Sequence, residues 1–270
     1  MRLRDRLVLL LGAASLTLSC ANAQKFAERS QQELAAGRID QAYQSALIAY
    51  RRDPRDPAVQ NALSGAANAR VDDWKKRVRN LATVDTLKAA RQTLELEKFR
   101  LEVVSLGVQL REDLGYARDE DLIRHSAAAS VYAEGDSAMR EGNHKLAYTR
   151  FAEARDYAPG YRDVSQRAAD ALKRANVLVA FLPFADETGG PDWGRALSEH
   201  VRDETLKHLG PAGLTFTSFL SPEQVYDKMT VSELGHLSRQ NAISLGRRIG
   251  ADRVVWGRIY SPSVNTTTNR

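Results

Sequence analysis

Two stretches of this chain carry small residues at the same spacing. AGRIDQAYQSALIAYRRDP, residues 36–54, has Gly37, Ala42, Ala49 and Pro54. EGNHKLAYTRFAEARDYAP, residues 141–159, has Gly142, Ala147, Ala154 and Pro159. A glycine ends one helix where the chain must reverse, the alanines let a second helix pack closely on the first, and a proline stops it. The pattern therefore restricts the fold to antiparallel helix pairs. One such pair cannot bury its own apolar face, so pairs of this kind stack.

Texture extends the reading. Residues 24–175 are rich in Ala, Leu, Gln, Glu, Lys and Arg and poor in proline, with apolar residues at three- and four-residue steps. Leu87, Ala90, Leu94, Leu101, Val104 and Val108 are expected on one face of a long helix, as core against its neighbours. The clearer repeat, 131–161, resembles the tetratricopeptide pattern, whose helix pairs recur every 34 residues. Gly135 stands where the first helix of the pair approaches the second, and Phe151 is the apolar filler. The copy at 26–54 matches in register, with Ser30 in place of Gly135 and Ala46 in place of Phe151. The two copies lie 105 positions apart (Gly37 to Gly142), so residues 60–130 are expected to supply further helices without the signature, with Trp74 capping one of them. Stacks of this family are protein-interaction surfaces; helices that only space and support the following domain are the other reading.

The amino terminus is read as a leader. Arg2, Arg4 and Arg6 precede an uncharged apolar run, Leu7 to Leu18, which is the layout of a secretory signal peptide and too short to span a membrane. Two cuts are open. Ala21-Asn22-Ala23 before Gln24 fits ordinary signal cleavage. LTLSC, ending at Cys20, resembles a bacterial lipobox, although Thr17 stands where leucine is preferred. The lipobox is the preferred reading, because a lone cysteine at the end of a leader has a use only if it is acylated. That resemblance implies a lipoprotein anchored through Cys20: residues 1–20 are the signal peptide with its lipobox-like end, cut just before Cys20. Because Ala21 is not aspartate, it also implies an outer-membrane address facing the periplasm. Either cut leaves no free thiol, because Cys20 is either acylated or discarded, so disulfides, thiol catalysis and cysteine-based metal sites are excluded. The formal charge of +5 falls to +3 when the leader's three arginines and Asp5 are removed, too little for a nucleic-acid footprint.

At Asn176 the texture changes. NVLVAFLPF is an apolar run of strand length, expected to be buried on both faces. WGRALSEHVRDETLKHLG is expected to form a helix with Leu197, Val201, Thr205 and Leu209 toward the core, ended at Gly210-Pro211. Leu214 to Leu220 reads as a second strand. Ser221 with Gln224, and Thr230 with Glu233, read as capping boxes. A helix closing at Ile249 and Gly250 leads to a third strand, Val254 to Tyr260. The fold class is thus multidomain: an all-α tetratricopeptide-like module, 24–175, then a small α/β sandwich, 176–261, read either as a shortened version or as truncated, and a polar tail, 262–270. Leu182-Pro183-Phe184, Gly250-Ala251-Asp252 and Gly257 resemble the CsgG-type domain, a fold shared by the TolB amino-terminal domain and by lipoproteins that activate penicillin-binding proteins. The resemblance implies an envelope assembly factor or regulator without catalysis or cofactor.

Candidates for chemistry are few. Asp186 and Glu187 lie past the first strand, where α/β proteins often bind ligands, but a solvated loop is the simpler reading. Gly189-Gly190-Pro191-Asp192-Trp193-Gly194 lacks the lysine of a phosphate loop. His200 and His208 stand about 12 Å apart along a helix, too far to share a metal, and His125, His144 and His236 have no evident companions. The resulting expectation is a non-enzymatic, membrane-tethered assembly factor that binds envelope proteins and no nucleic acid. An activator of a cell-wall synthase is the nearer alternative, and a ligand receptor or enzyme using the 186–194 loop the more distant one. In a Gram-negative host the intact mass of the mature protein should be that of an acylated chain starting at Cys20; a bare chain starting at Gln24 refutes the anchor.

Overall fold

A computed structural model describes residues 22–188, 193–230, 232–233 and 237–260. Cys20, the leader, Gly189 to Asp192, His236 and the tail lie outside the described residues. The fold is mostly helical, with a few short parallel strands near the carboxyl end. Two compact units are present: one runs to Ala133 and includes Glu153–Val164, the other holds Glu134–Ala152 and everything from Ser165 on.

The first unit begins with α1 (22–35) and α2 (Ile39–Arg52). Gly37, at φ 71°, closes α1 with paired bonds, Arg38 N–H to Glu33 C=O at 2.8 Å and Gly37 N–H to Leu34 C=O at 3.0 Å. These are the two bonds of a Schellman turn, which satisfies carbonyls that the helix end would otherwise leave open. Ser30 is buried on α1 and donates to the Ala42 carbonyl of α2 at 2.8 Å. Next to it the buried Glu33 accepts from Ser45 at 2.7 Å and from Arg29 at 2.8 Å, and these bonds hold its carboxyl below the usual range.

Then come α3 (Pro57–Ala82) and α4 (Thr86–Ser105). Asp56 caps α3 through a 2.7 Å bond from Ala58 N–H, with Pro57 at the first helical position. Tyr43 of α2, Arg70 and Trp74 of α3 and Phe99 of α4 form one cluster. The Arg70 guanidinium carbon lies 4.8 Å from the Phe99 ring centre, 4.9 Å from Tyr43 and 5.9 Å from Trp74. Its Nε is 3.0 Å from Asp40, an ion pair off the hydrogen-bond direction. Trp74 thus sits mid-helix in a packed knot and caps nothing.

The expected stripe on α4 needs correction. The buried row is Ala89, Ala90, Thr93, Leu96, Phe99 and Val103. Leu87 and Leu94 are half-buried, Leu101 and Val104 face out, and Val108 is buried as expected although the helix ends before it. The aromatic ring of Phe99 chooses the inward side, and residues two and five positions further on are carried roughly 200° and 140° around the helix. Asn68, buried on α3, then pins the next loop: it donates to Gln109 C=O at 3.1 Å and accepts from Arg111 N–H at 2.9 Å. Residues 60–130 are indeed helical, apart from this loop and the turn after Ala82.

The division between units falls inside α5 (Leu114–Arg140) and α6 (His144–Tyr157). In the second unit Gly142, at φ 76°, repeats the Schellman bonds of Gly37. A Cβ on Gly135 would stand 2.8 Å from the buried Phe151 ring. Arg167 of α7 (Val164–Ala175) lies over that ring at 5.4 Å and pairs with Asp136.

A parallel sheet of order β3-β1-β4 follows, with β1 (Val177–Phe181) between β3 (Thr217–Phe219) and β4 (Arg253–Val255). Val179 pairs with Arg253 and Phe181 with Val255; beyond them β2 (Ala185–Asp186) pairs with β5 (Arg258–Ile259) as Ala185 with Arg258. Four steps on one side oppose three on the other, so one residue is extra, a bulge placed where Pro183 has no N–H to give the ladder. The expected single strand Val254 to Tyr260 is therefore two short ones, parted at Trp256-Gly257. Trp256 donates to Leu237 C=O at 2.9 Å, and Gly257 lies against Phe184. β1 is also less enclosed than expected, with Val177 to Val179 half-buried.

Helix α8 (Trp193–Gly213) turns its small side to the sheet. A Cβ on Gly194 would fall 2.0 Å from Phe184 O, so only glycine fits; Gly194 and Ser198 are buried. Leu197 and Leu209, expected in the core, are exposed instead, and Val201 and Thr205 are half-buried. The helix breaks at Gly210 as expected. α9 (Pro222–Tyr226) carries the Ser221–Gln224 capping box, Thr230 and Glu233 bond reciprocally, and α10 (Arg239–Arg248) ends at Gly250. Ala180, Leu182, Val225, Leu237, Ala242 and Leu245 form this unit's core.

Gly135→Ala should destabilise the protein by about 1–3 kcal/mol and Phe151→Ala by about 3–5 kcal/mol. Gly135→Ser combined with Phe151→Ala recreates the Ser30–Ala46 pair of the first copy. In urea unfolding it should lose at least about 1 kcal/mol less than the sum of its two single changes.

Candidate functional site

The residues singled out by the repeat pattern occupy packing positions. Ala42, Ala49, Ala147, Phe151 and Ala154 are fully buried, Gly37 and Gly142 sit in left-handed turns, and Gly135 meets Phe151. Pro54 and Pro159 stand just past the ends of α2 and α6. In the second unit Leu182 is buried, Asp252 donates its N–H to Leu178 C=O and accepts from Leu178 N–H, both at 2.8 Å, and Gly250 ends α10 at φ 75°. Ala251 is half-buried on the same core. These groups hold elements together.

The loop after β2 is built by its carboxylate. Asp186 accepts from the Thr188 hydroxyl at 2.6 Å, from Thr188 N–H at 2.8 Å and from Trp193 N–H at 3.2 Å. The Thr188 hydroxyl does most to hold its carboxyl below the usual range, with the Thr188 and Trp193 N–H groups adding to it. An ionised group so committed fixes the start of α8; it is a poor base at neutral pH. Glu187 pairs with Arg258 at 3.5 Å. The two carboxylates thus diverge to separate partners.

A polar cleft in the first unit was not anticipated. Tyr116 is fully buried, with the Arg79 and Arg100 guanidinium carbons each 5.2 Å and the Lys75 ammonium 5.6 Å from its ring centre. Lys75 lies 3.5 Å from both Asp72 and Asp113, and Arg100 2.8 Å from Glu120. Burial pushes the phenol well above its ordinary value. The cleft, about 350 Å³, is lined by Lys75, Arg100 and Arg111 against Glu112, Asp113 and Glu120. Its charges cancel, so it favours no ion of either sign. Nothing in the sequence signals it, because its members come from three segments and meet only after α3, α4 and α5 pack.

The histidines are dispersed. Nδ1 of His125 lies 3.1 Å from Asp121, Nδ1 of His208 lies 2.7 Å from Glu204 C=O, His200 is exposed and His144 opens α6. Among the described residues no cluster of His, Cys, Asp and Glu is arranged to hold a metal ion, and no helix is long and apolar enough to cross a membrane. No family model matches the chain, and neither a curated protein nor a solved structure matches it.

Because its folded value is lowered, Asp186 contributes fully above the ordinary carboxylate value of about 4, and that contribution is lost as pH falls through the folded value. The amide signals of Thr188 and Trp193 should therefore titrate together in acid, and Asp186→Ala should abolish that shared titration in NMR spectra.

Proposed function

We propose that this chain is a non-enzymatic interaction factor of the bacterial cell envelope, held at the outer membrane through an acylated Cys20. In this reading the tetratricopeptide-like helices and the CsgG-like domain bind partner proteins. One observation carries its interaction part. The apolar stripe that looks like core in the sequence of α4 is left open at its carboxyl end, where Leu101 is 66% and Val104 53% exposed. A single exposed leucine is ordinary, but two large apolar side chains three apart on one helix are neighbours and make a patch. A partner surface accounts for apolar spacing that the helical unit does not itself use.

Two further points support the reading. The loop carboxylates are engaged in holding backbone and Arg258, which favours binding of proteins over chemistry at residues 186–194. Tethering by acyl chains would confine the helical surface to a thin layer and raise its effective concentration for envelope partners.

A photo-crosslinking residue at the exposed Ser105 should capture a defined envelope protein in cells. Leu101→Asp with Val104→Asp should lower that yield at least about tenfold, with the urea midpoint unchanged. Failure to form an adduct above background from any position on the helical surface refutes the reading.

A further inference from the structure

The tip of the α3–α4 hairpin contains three features that the fold itself does not call for. Val84 stands in the turn between the helices with 86% of its surface exposed, more than any other large apolar side chain described. The turns closed by Gly37 and Gly142 place arginine and asparagine next to the glycine, and turn positions generally favour Gly, Asn, Asp or Ser. Lys88 stands in the first turn of α4, the positive end of the helix dipole, where a cation is disfavoured. Its ammonium forms no ion pair among the described residues.

The third feature is a groove of about 500 Å³ lined by Arg77, Val78, Asn80, Leu81, Val84, Lys88 and Gln92. Its apolar members, Val78, Leu81 and Val84, come from the end of α3 and the turn. Its polar members are two cations and two amides, and no carboxylate lines it. The side-chain carbonyl of Gln92 accepts from Trp74 Nε1–H at 3.0 Å, which orients its amide. Two acids of the hairpin are engaged within it: Asp73 pairs with Arg77 at 3.0 Å, and Asp85 caps α4 by accepting from Lys88 N–H at 2.9 Å.

We propose that this groove docks a short acidic segment of a partner protein that carries leucine or phenylalanine. The apolar side chain would cover Leu81 and Val84, above the fully buried Val78, while flanking Asp or Glu carboxylates meet Lys88 and Arg77. The inference rests on the interaction reading above for a protein partner, and it names that partner's chemistry. The volume suits one or two large side chains. An anionic membrane surface is recognised by clusters of about four to eight basic residues, and this groove has two. The Lys88 cation, costly at a helix start, acquires a reason once an acid binds there.

The test uses methyl NMR of the full mature chain, with the peptide Glu-Leu-Phe-Asp-Glu, its basic counterpart Lys-Leu-Phe-Lys-Lys, and phosphatidylglycerol vesicles. The acidic peptide should shift the Leu81 and Val84 methyl signals saturably, and the basic peptide should not. Lys88→Glu should weaken the acidic peptide about tenfold. Because it places an acid in the first turn beside the Asp85 cap, it should leave the melting temperature unchanged or raised. The proposal is overturned if the acidic peptide leaves these methyls unmoved, if both peptides bind alike, if Lys88→Glu has no effect, or if only the vesicles shift the signals. Crosslinking from Ser105 tests the interaction reading at the far end of α4, so the two can fail separately.

Discussion

A guanidinium held among three aromatic rings organises the first helical unit. Arg70 draws Tyr43 from α2 and Phe99 from α4 onto α3, with Trp74 beside it and Asp40 balancing its charge. Cation–π contacts of this kind are worth about 0.5–2 kcal/mol each depending on desolvation, and here three rings share one cation. The orientation they impose matters more than their sum. With Phe99 inside, the 100° advance per residue turns Leu101 and Val104 outward. With Trp74 bonded to Gln92, the start of α4 lies alongside the end of α3, where Val78, Leu81 and Val84 line the groove.

The two repeat copies share their glycine turns and differ in packing. Where the second has Gly135 facing the Phe151 ring, the first has the buried pair Ser30 and Ala46, a larger residue on the first helix and a much smaller one on the second. Ser30 uses the freed space to donate to Ala42 C=O, which satisfies its hydroxyl in a buried place. Glu33 and Ser45 add a buried polar contact one turn on; the corresponding positions in the second copy are Ala138 and Arg150. Degeneracy in the pattern is thus compensated substitution, and the glycine turns that frame it are the same.

In the second unit, backbone requirements account for most of the residues that stood out. Pro183 lies at the bulge, Gly194 admits the Phe184 carbonyl, Asp252 bonds both ways with Leu178, and Asp186 gathers the N–H groups of its loop and of α8. A carboxylate just past a strand looks like a ligand site in sequence. The same position also needs an acceptor for N–H groups that no helix or ladder satisfies, and that demand takes this one.

What the sequence by itself determined is local. The glycine and alanine spacing, the Ser221 and Thr230 caps and the change of texture at Asn176 are each decided within a few residues, by backbone freedom, side-chain size and short-range hydrogen bonds. Tertiary structure alone decided which helical face is buried. On α4 both Leu87-Leu94-Leu101 and Ala89-Leu96-Val103 have helical periodicity, and only Phe99, meeting Arg70 and Tyr43 from other helices, selects the second. On α8 the fit of Gly194 against Phe184 turns Leu197 and Leu209 out. The Tyr116 cleft and the Val84 groove depend on residues from separate helices. Periodicity marks the faces of a helix; which face is buried depends on the neighbours that reach it.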